Sequence, residues 1–227
     1  MAKILLVAPP AVFAITCHEV AHGWVASRFG DQTARERGRL TLNPIAHIDP
    51  VGTILVPVLL ALANAPIIGW ARPVPVNFRN LRSPKKHMGY VAAAGPVTNL
   101  LLAALFGIVV NALALAFLAL SGGQETPAEG LGGFVRPLFE MLLLGVQINV
   151  MLAIFNLLPV PPMDGSKLAI SLLPMPYAGW FARLERYGFL PLLILFFIPA
   201  TNHMIGAVVN PIERTLTRFF VDWPRFF

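Results

Sequence analysis

Residues 88–120 run for 33 positions without one charged side chain. A stretch that long and apolar belongs in a bilayer, where about 20 residues suffice to cross the hydrocarbon. As one helix it would reach about 50 Å against ~30 Å of hydrocarbon, so it must tilt, break or protrude. Gly95-Pro96 marks the expected break or start. Four more apolar stretches, roughly 4–27, 51–70, 138–162 and 188–210, approach or exceed the length of a span. With 56% hydrophobic and 12% charged residues, the chain reads as an all-α polytopic membrane protein of about five apolar segments. No segment has the length or polarity of a soluble domain, so 1–227 reads as a single membrane-embedded domain. The net charge of +6 lies in the connecting loops. That pattern reports topology and excludes a nucleic-acid patch. A single cysteine excludes an intrachain disulfide framework.

The loops constrain the path of the chain. Residues 28–50 hold Arg28, Arg35, Arg37 and Arg39, and residues 71–87 hold Arg72, Arg79, Arg82, Lys85 and Lys86. Residues 163–187 hold Lys167, Arg183 and Arg186, whereas 121–136 hold Arg136 with Glu125 and Glu129. The positive-inside bias places the first three loops in the cytoplasm. A full crossing by 51–70 would put the first two on opposite sides, so a re-entrant 51–70 is expected, with a full span as the alternative because the charge rule is a bias and not a law. Pro57, Pro66 and Gly69 suit such a broken path. Two flanking stretches, Arg39-Leu40-Thr41-Leu42-Asn43 and Val74-Pro75-Val76-Asn77-Phe78, alternate like strands. They are expected either to pair into a small sheet at the cytoplasmic surface or to remain irregular loop. Pro73 and Pro75 would confine the second to an edge.

The chemistry begins inside the first apolar stretch, which contains His18-Glu19-Val20-Ala21-His22. Histidines at i and i+4 leave one helix face and can share a metal, the zinc-hydrolase pattern. Glu19 lies about 100° from His18 around the helix and about 60° from His22. It can flank a zinc ion without ligating it, where a general base for an attacking water belongs. Titratable groups at membrane depth are costly and mark functional sites. Cys17 points about 100° away from His18 and reads as a packing residue.

A zinc site needs a third protein ligand. Asp164 ends a long apolar run, behind Pro159, Pro161 and Pro162, which stop the helix and stiffen the approach to it. An Asp-Gly pair is also an ordinary turn. His47, in a polar loop, and His203, near a helix end, are the competitors.

His18-Glu19-x-x-His22 together with Asn156-x-x-Pro159-x-Pro161-x-x-Asp164-Gly165 resembles the site-2 proteases, the intramembrane zinc metalloproteases. Gly95-Pro96-x-x-Asn99 matches a further pattern of that family. The stretches 39–50 and 69–76 look like its short prokaryotic branch, which lacks a PDZ or CBS domain. The resemblance implies that His18, His22 and Asp164 hold one Zn²⁺ and that Glu19 is the catalytic base. It assigns Asn156, and with it Asn99, to substrate backbone or oxyanion. It implies transmembrane segments of membrane proteins as substrates, in a cell membrane, with the active site opening toward the cytoplasm. No transmembrane helix precedes the His-Glu-x-x-His helix, which leaves open whether a second copy completes the site as a homo-oligomer.

Two other readings fit parts of the pattern. A proton- or metal-handling transporter or channel would use His18 and Glu19 but leaves the Asn-Pro-Pro-Asp-Gly stretch unexplained; metal analysis separates it, since one tightly held zinc per chain would favour the protease. A catalytically silent scaffold has no use for a buried Glu19, and an assay for cleavage of a model membrane segment would separate it from the protease. The tail 211–227 has Phe219, Phe220, Trp223, Phe226 and Phe227 among Arg214, Arg218 and Arg225, and reads as an interfacial anchor.

Overall fold

The computed structural model describes residues 2–62, 69–120, 135–197 and 199–222. Among them, three helices are long and apolar enough to cross a membrane: Leu5–Arg28, Pro84–Leu120 and Val135–Leu157. The first lies within α1, Ala2–Arg28. A short α2, Thr33–Glu36, follows it. The second span is α4, Pro84–Leu120, and the third is α5, Val135–Leu157. α4 packs against both α1 and α5, and α1 also packs on α5. Fully buried Ala14, Ala103 and Ala153 lie in these helices. Small side chains let membrane helices approach closely, which matters where lipid supplies no hydrophobic drive between them.

α4 does not break at Gly95-Pro96, contrary to expectation; the helix runs through Pro96. Pro96 has no N–H to offer the Ala92 carbonyl. Membrane helices carry proline where neighbouring groups compensate, and Gly95 and Pro96 are both buried in the helix contact. At 37 residues the helix is about 55 Å long, so it tilts or protrudes instead.

The 51–70 stretch is not a long helix. Asp49 caps it, accepting from the N–H groups of Val51 (3.0 Å) and Gly52 (2.7 Å). A π-helical turn, Pro50–Leu55, then leads into α3, Val56–Leu62. Residues 63–68 lie outside the described residues. On its return the chain donates from Trp70 N–H to the Gly52 carbonyl (3.1 Å) and from Arg72 N–H to the His47 carbonyl (2.9 Å). A Cβ on Gly52 would sit 2.3 Å from the Trp70 ring, so only glycine permits this approach. The stretch therefore begins and finishes at one place.

No strands form among the described residues, so of the two alternatives for 39–43 and 74–78 the irregular one is found and the sheet is absent. The reason lies in the donors. Pro73 and Pro75 have no N–H. The Val74 N–H goes to Glu19 Oε2 (2.8 Å), the Asn77 N–H to Asp31 Oδ2 (2.7 Å) and the Arg72 N–H to His47. Of the five residues 74–78, Val76 and Phe78 alone keep an N–H not taken by these partners. The two stretches still lie together: Arg39 Nη2 donates to the Arg72 carbonyl (2.8 Å), and a Cβ on Gly23 of α1 would meet both Leu40 and Val74 side chains at 2.7 Å. Buried Asp31 ties the first two loops together, accepting also from Asn80 Nδ2 at 3.0 Å.

After α5 come α6, Asp164–Leu172, and α7, Met175–Glu185. The apolar stretch 188–210 falls partly outside the described residues. Its described helical parts are α8, Leu190–Phe197, and the start of α9, Pro199–Asp222, with residue 198 outside the described residues. Val209 of α9 packs with Ala103, Val146, Val150 and Ile154 in the core between α4 and α5, joined by Leu216 and Phe220. The anchor expected over 211–227 is thus helical to Asp222, and its end, 223–227, lies outside the described residues.

Candidate metal centre

α1 brings His18 and His22 to one face at helical spacing, their Nε2 atoms 3.0 Å apart. Asp164 joins them from the first turn of α6, its Oδ2 lying 3.1 Å from each Nε2. All three residues are buried. The path that returns Asp164 is local in origin. α5 ends at Leu157, the prolines prevent its continuation, and tight turns follow, with Val160 N–H on the Leu158 carbonyl (2.8 Å) and Met163 N–H on the Val160 carbonyl (2.9 Å). A Cβ on Gly165 would lie 2.3 Å from the Leu157 and Leu158 carbonyl oxygens. Glycine there lets α6 fold back against the end of α5 and present Asp164 to α1.

The tautomers decide what this triangle can hold. His18 Nδ1 lies 2.6 Å from Asn99 Oδ1, and His22 Nδ1 lies 2.7 Å from the Val91 carbonyl oxygen. Both partners accept, so each Nδ1 carries the proton and each Nε2 turns a bare lone pair inward. Asp164 Oδ2 is buried and has no hydrogen-bond donor. Three lone pairs thus converge with no proton between them, an arrangement that a cation stabilises. Zinc at about 2.0–2.1 Å from tetrahedral ligands separates them by roughly 3.3 Å, close to the spacing here. Two imidazoles and one carboxylate are a zinc donor set that leaves a coordination position open. Lys167 Nζ lies 3.9 Å from Asp164 Oδ1.

A methyl group on Gly95 of α4 would lie 2.4 Å from His18 Cε1 and 2.5 Å from His22 Nε2. The absence of a side chain is what admits both rings against α4.

Glu19 is half-buried and stands outside the ligand triangle. Its Oε2 accepts the Val74 N–H. Asn99 is fully buried. Its oxygen faces His18, and its Nδ2 donates to Asn149 Oδ1 (2.9 Å) and toward the Ala14 carbonyl (3.4 Å). Asn156, in the last turn of α5, donates to the Leu152 carbonyl of its own helix (2.9 Å). His47 Nε2 is engaged with the Thr41 carbonyl (2.9 Å). The His203 side chain lies outside the described residues. Among the described residues, His18, His22 and Asp164 form the one group of three His, Cys, Asp or Glu that could hold a metal ion. Sequence reasoning passed over Asn149. The signal was a carboxamide in the middle of an apolar stretch, where polar groups seek interhelical partners.

Residues 10–179 match Peptidase family M50. The chain is 38% identical over 209 residues to the Bacillus subtilis protein named "Putative zinc metalloprotease YwhC", covering 92% of this chain and 88% of that one. It is 29% identical over 206 residues to "Putative zinc metalloprotease Rip2" of Mycolicibacterium smegmatis, covering 90% and 71%. Against Rip2 of Mycobacterium tuberculosis the identity is 30% over 198 residues, covering 85% and 66%. No solved structure matches the chain. The family match takes in both histidines of α1 and the aspartate that α6 returns to them, so the likeness and the geometry meet at one place: this chain belongs to peptidase family M50.

Proposed function

We propose that this protein is an intramembrane zinc metalloprotease, a single membrane-embedded unit that hydrolyses peptide bonds within or near transmembrane segments of other membrane proteins. The observation that carries the reading is the meeting of His18 Nε2, His22 Nε2 and Asp164 Oδ2 within 3.0–3.1 Å, two of them on a helix apolar enough to span a membrane. Zinc in that position would polarise a scissile carbonyl and lower the pKa of water toward about 7.

The remaining work falls to side chains. Glu19 Oε2 is held by the Val74 N–H, which leaves Oε1 to take a proton from the attacking water and pass it to the leaving amine. Asn156, in the last turn of α5, is the candidate to bind substrate backbone; its Nδ2 must leave the Leu152 carbonyl to do so. Asn99 has both ends of its carboxamide engaged, which favours orienting His18 over contacting substrate.

In this reading the hairpin 50–72 enters and leaves the bilayer on one side, because its two ends are hydrogen-bonded together. Asn80 on Asp31 likewise joins the two basic loops. Their charge supports a cytoplasmic placement, with the site opening to that side. A substrate helix must unwind before attack, since its backbone groups are paired internally. Substrates with Gly or Pro near the cleavage point are therefore preferred, each weakening the helix by about 1 or 3 kcal/mol relative to Ala.

The test is cleavage, by the purified zinc-loaded protein, of a model substrate with a poly-Leu segment, with and without a central Asn-Pro pair. Cleavage is expected to be abolished by chelation and restored by zinc. It should be roughly tenfold or more faster with Asn-Pro, if unwinding precedes the slow step. Chelator-insensitive cleavage, or none of either substrate, would defeat the proposal. Equal rates on the two substrates would remove the unwinding criterion.

A further inference from the structure

His18 and His22 are oriented by different kinds of acceptor. The partner of His22 Nδ1 is the Val91 backbone carbonyl, which can only accept. The partner of His18 Nδ1 is a side-chain carboxamide, Asn99. A carboxamide can turn over. Rotated by a half-turn, Asn99 would present its NH₂ to His18 Nδ1 and favour the opposite tautomer. The proton would then sit on Nε2, where a metal must bind.

What opposes that rotation is a second carboxamide. Asn99 Nδ2 donates to Asn149 Oδ1 at 2.9 Å, and Asn149 Nδ2 donates to the Gly145 carbonyl at 2.8 Å. The chain ends on a backbone oxygen that has no hydrogen to give, so its direction is set from that end. Gly145 orders Asn149, Asn149 orders Asn99, and Asn99 orders His18. The Ala14 carbonyl also faces Asn99 Nδ2, but at 3.4 Å it is near the limit of a hydrogen bond. Both asparagines are fully buried, beyond the reach of competing water.

We infer that Asn149, on α5, is a positioning residue for His18: through Asn99 it holds His18 in the Nδ1–H tautomer, with Nε2 bare for metal. The inference rests on the metalloprotease reading of the site. It also gives α5 a task that packing alone would not require of an asparagine.

The experiment is a zinc titration of the metal-free, detergent-purified protein against a competing chelator, with thermal stability measured in parallel. Asn149→Ala should weaken zinc binding about 10–100-fold, the usual cost of losing an outer hydrogen-bond partner of a metal ligand. Val150→Ala removes a neighbouring buried side chain of the same helix. It should lower stability and leave zinc affinity unchanged. Asn99→Ala should weaken zinc binding at least as much as Asn149→Ala. The double variant should be no weaker than Asn99→Ala, because Asn149 acts only through Asn99. If Asn149→Ala is not recovered folded, Asn149→Thr makes the same comparison. Its hydroxyl can replace the bond to Gly145 but does not reach Asn99. Wild-type zinc affinity in the Asn149 variant, or losses that multiply in the double variant, would overturn the inference. A wild type that holds no zinc would bring down the reading of the site itself.

Discussion

Val74 donates its backbone N–H to Glu19 Oε2 at 2.8 Å, so a segment 55 residues away along the chain holds the carboxylate of the His-Glu-x-x-His helix. Glutamine at position 19 would still offer an oxygen to Val74 but no basic atom to a water. Glu19→Gln is expected to keep one zinc per chain and to lower peptide hydrolysis by about 10²–10⁴-fold. Elemental analysis beside a cleavage assay checks it, and loss of zinc would make Glu19 a ligand.

The two aspartates Asp164 and Asp49 separate ligation from capping. Asp164→Ala removes one corner of the triangle and should reduce zinc occupancy to near background. Asp49→Ala loses the bonds to Val51 and Gly52, costing about 1 kcal/mol as other lost caps do, with zinc retained. Equal zinc in Asp164→Ala and wild type would remove Asp164 from the metal.

Gly95→Ala tests the contact between α4 and the site. The added methyl would lie 2.4–2.6 Å from the His18 and His22 rings, and one ring or the helix must shift. Zinc affinity should fall more than tenfold, as misplaced ligands imply. Gly179→Ala, at an open position with nothing within 4 Å, should bind zinc as the wild type does.

Asp31 predicts a pH dependence. Burial raises its carboxyl, but the Thr33 hydroxyl, the Asn77 N–H, the Asn80 amide and the Thr33 N–H outweigh that and hold it below the ordinary value. A depressed folded-state value contributes stability above the unfolded pKa of about 3.9, lost as pH falls through the folded one. Asp31→Asn should therefore destabilise by about 1–3 kcal/mol at neutral pH, and the difference from wild type should shrink below about pH 4. Thermal unfolding at pH 7 and pH 3.5 reads this; a constant difference would show that the charge is not what matters.

Single cysteines at exposed Glu36 and Arg79, and at Gln124, in a Cys17→Ala background, test the topology. An impermeant thiol reagent should reach positions 36 and 79 from the same side and 124 from the other. Labelling of 36 and 79 from opposite sides would show that 51–70 crosses.

The membrane class, the shared face of His18 and His22, and the stop before Asp164 were all legible in the sequence. Each follows from local rules: uncharged length, 3.6-residue periodicity, and prolines without an N–H. The tertiary structure decided matters that depend on distant partners. The stretch 74–78 alternates like a strand, yet Glu19 and Asp31 take its donors before a neighbouring strand can. Gly95-Pro96 reads as a break, yet packing against α1 carries α4 through it. Asn99 reads as a substrate contact by resemblance, yet it faces His18, 81 residues away, with Asn149 behind it. A pattern spanning one or two turns cannot specify which acceptor a buried donor meets across the bundle. Helix packing brings those groups within hydrogen-bond range, and at membrane depth each must find such a partner.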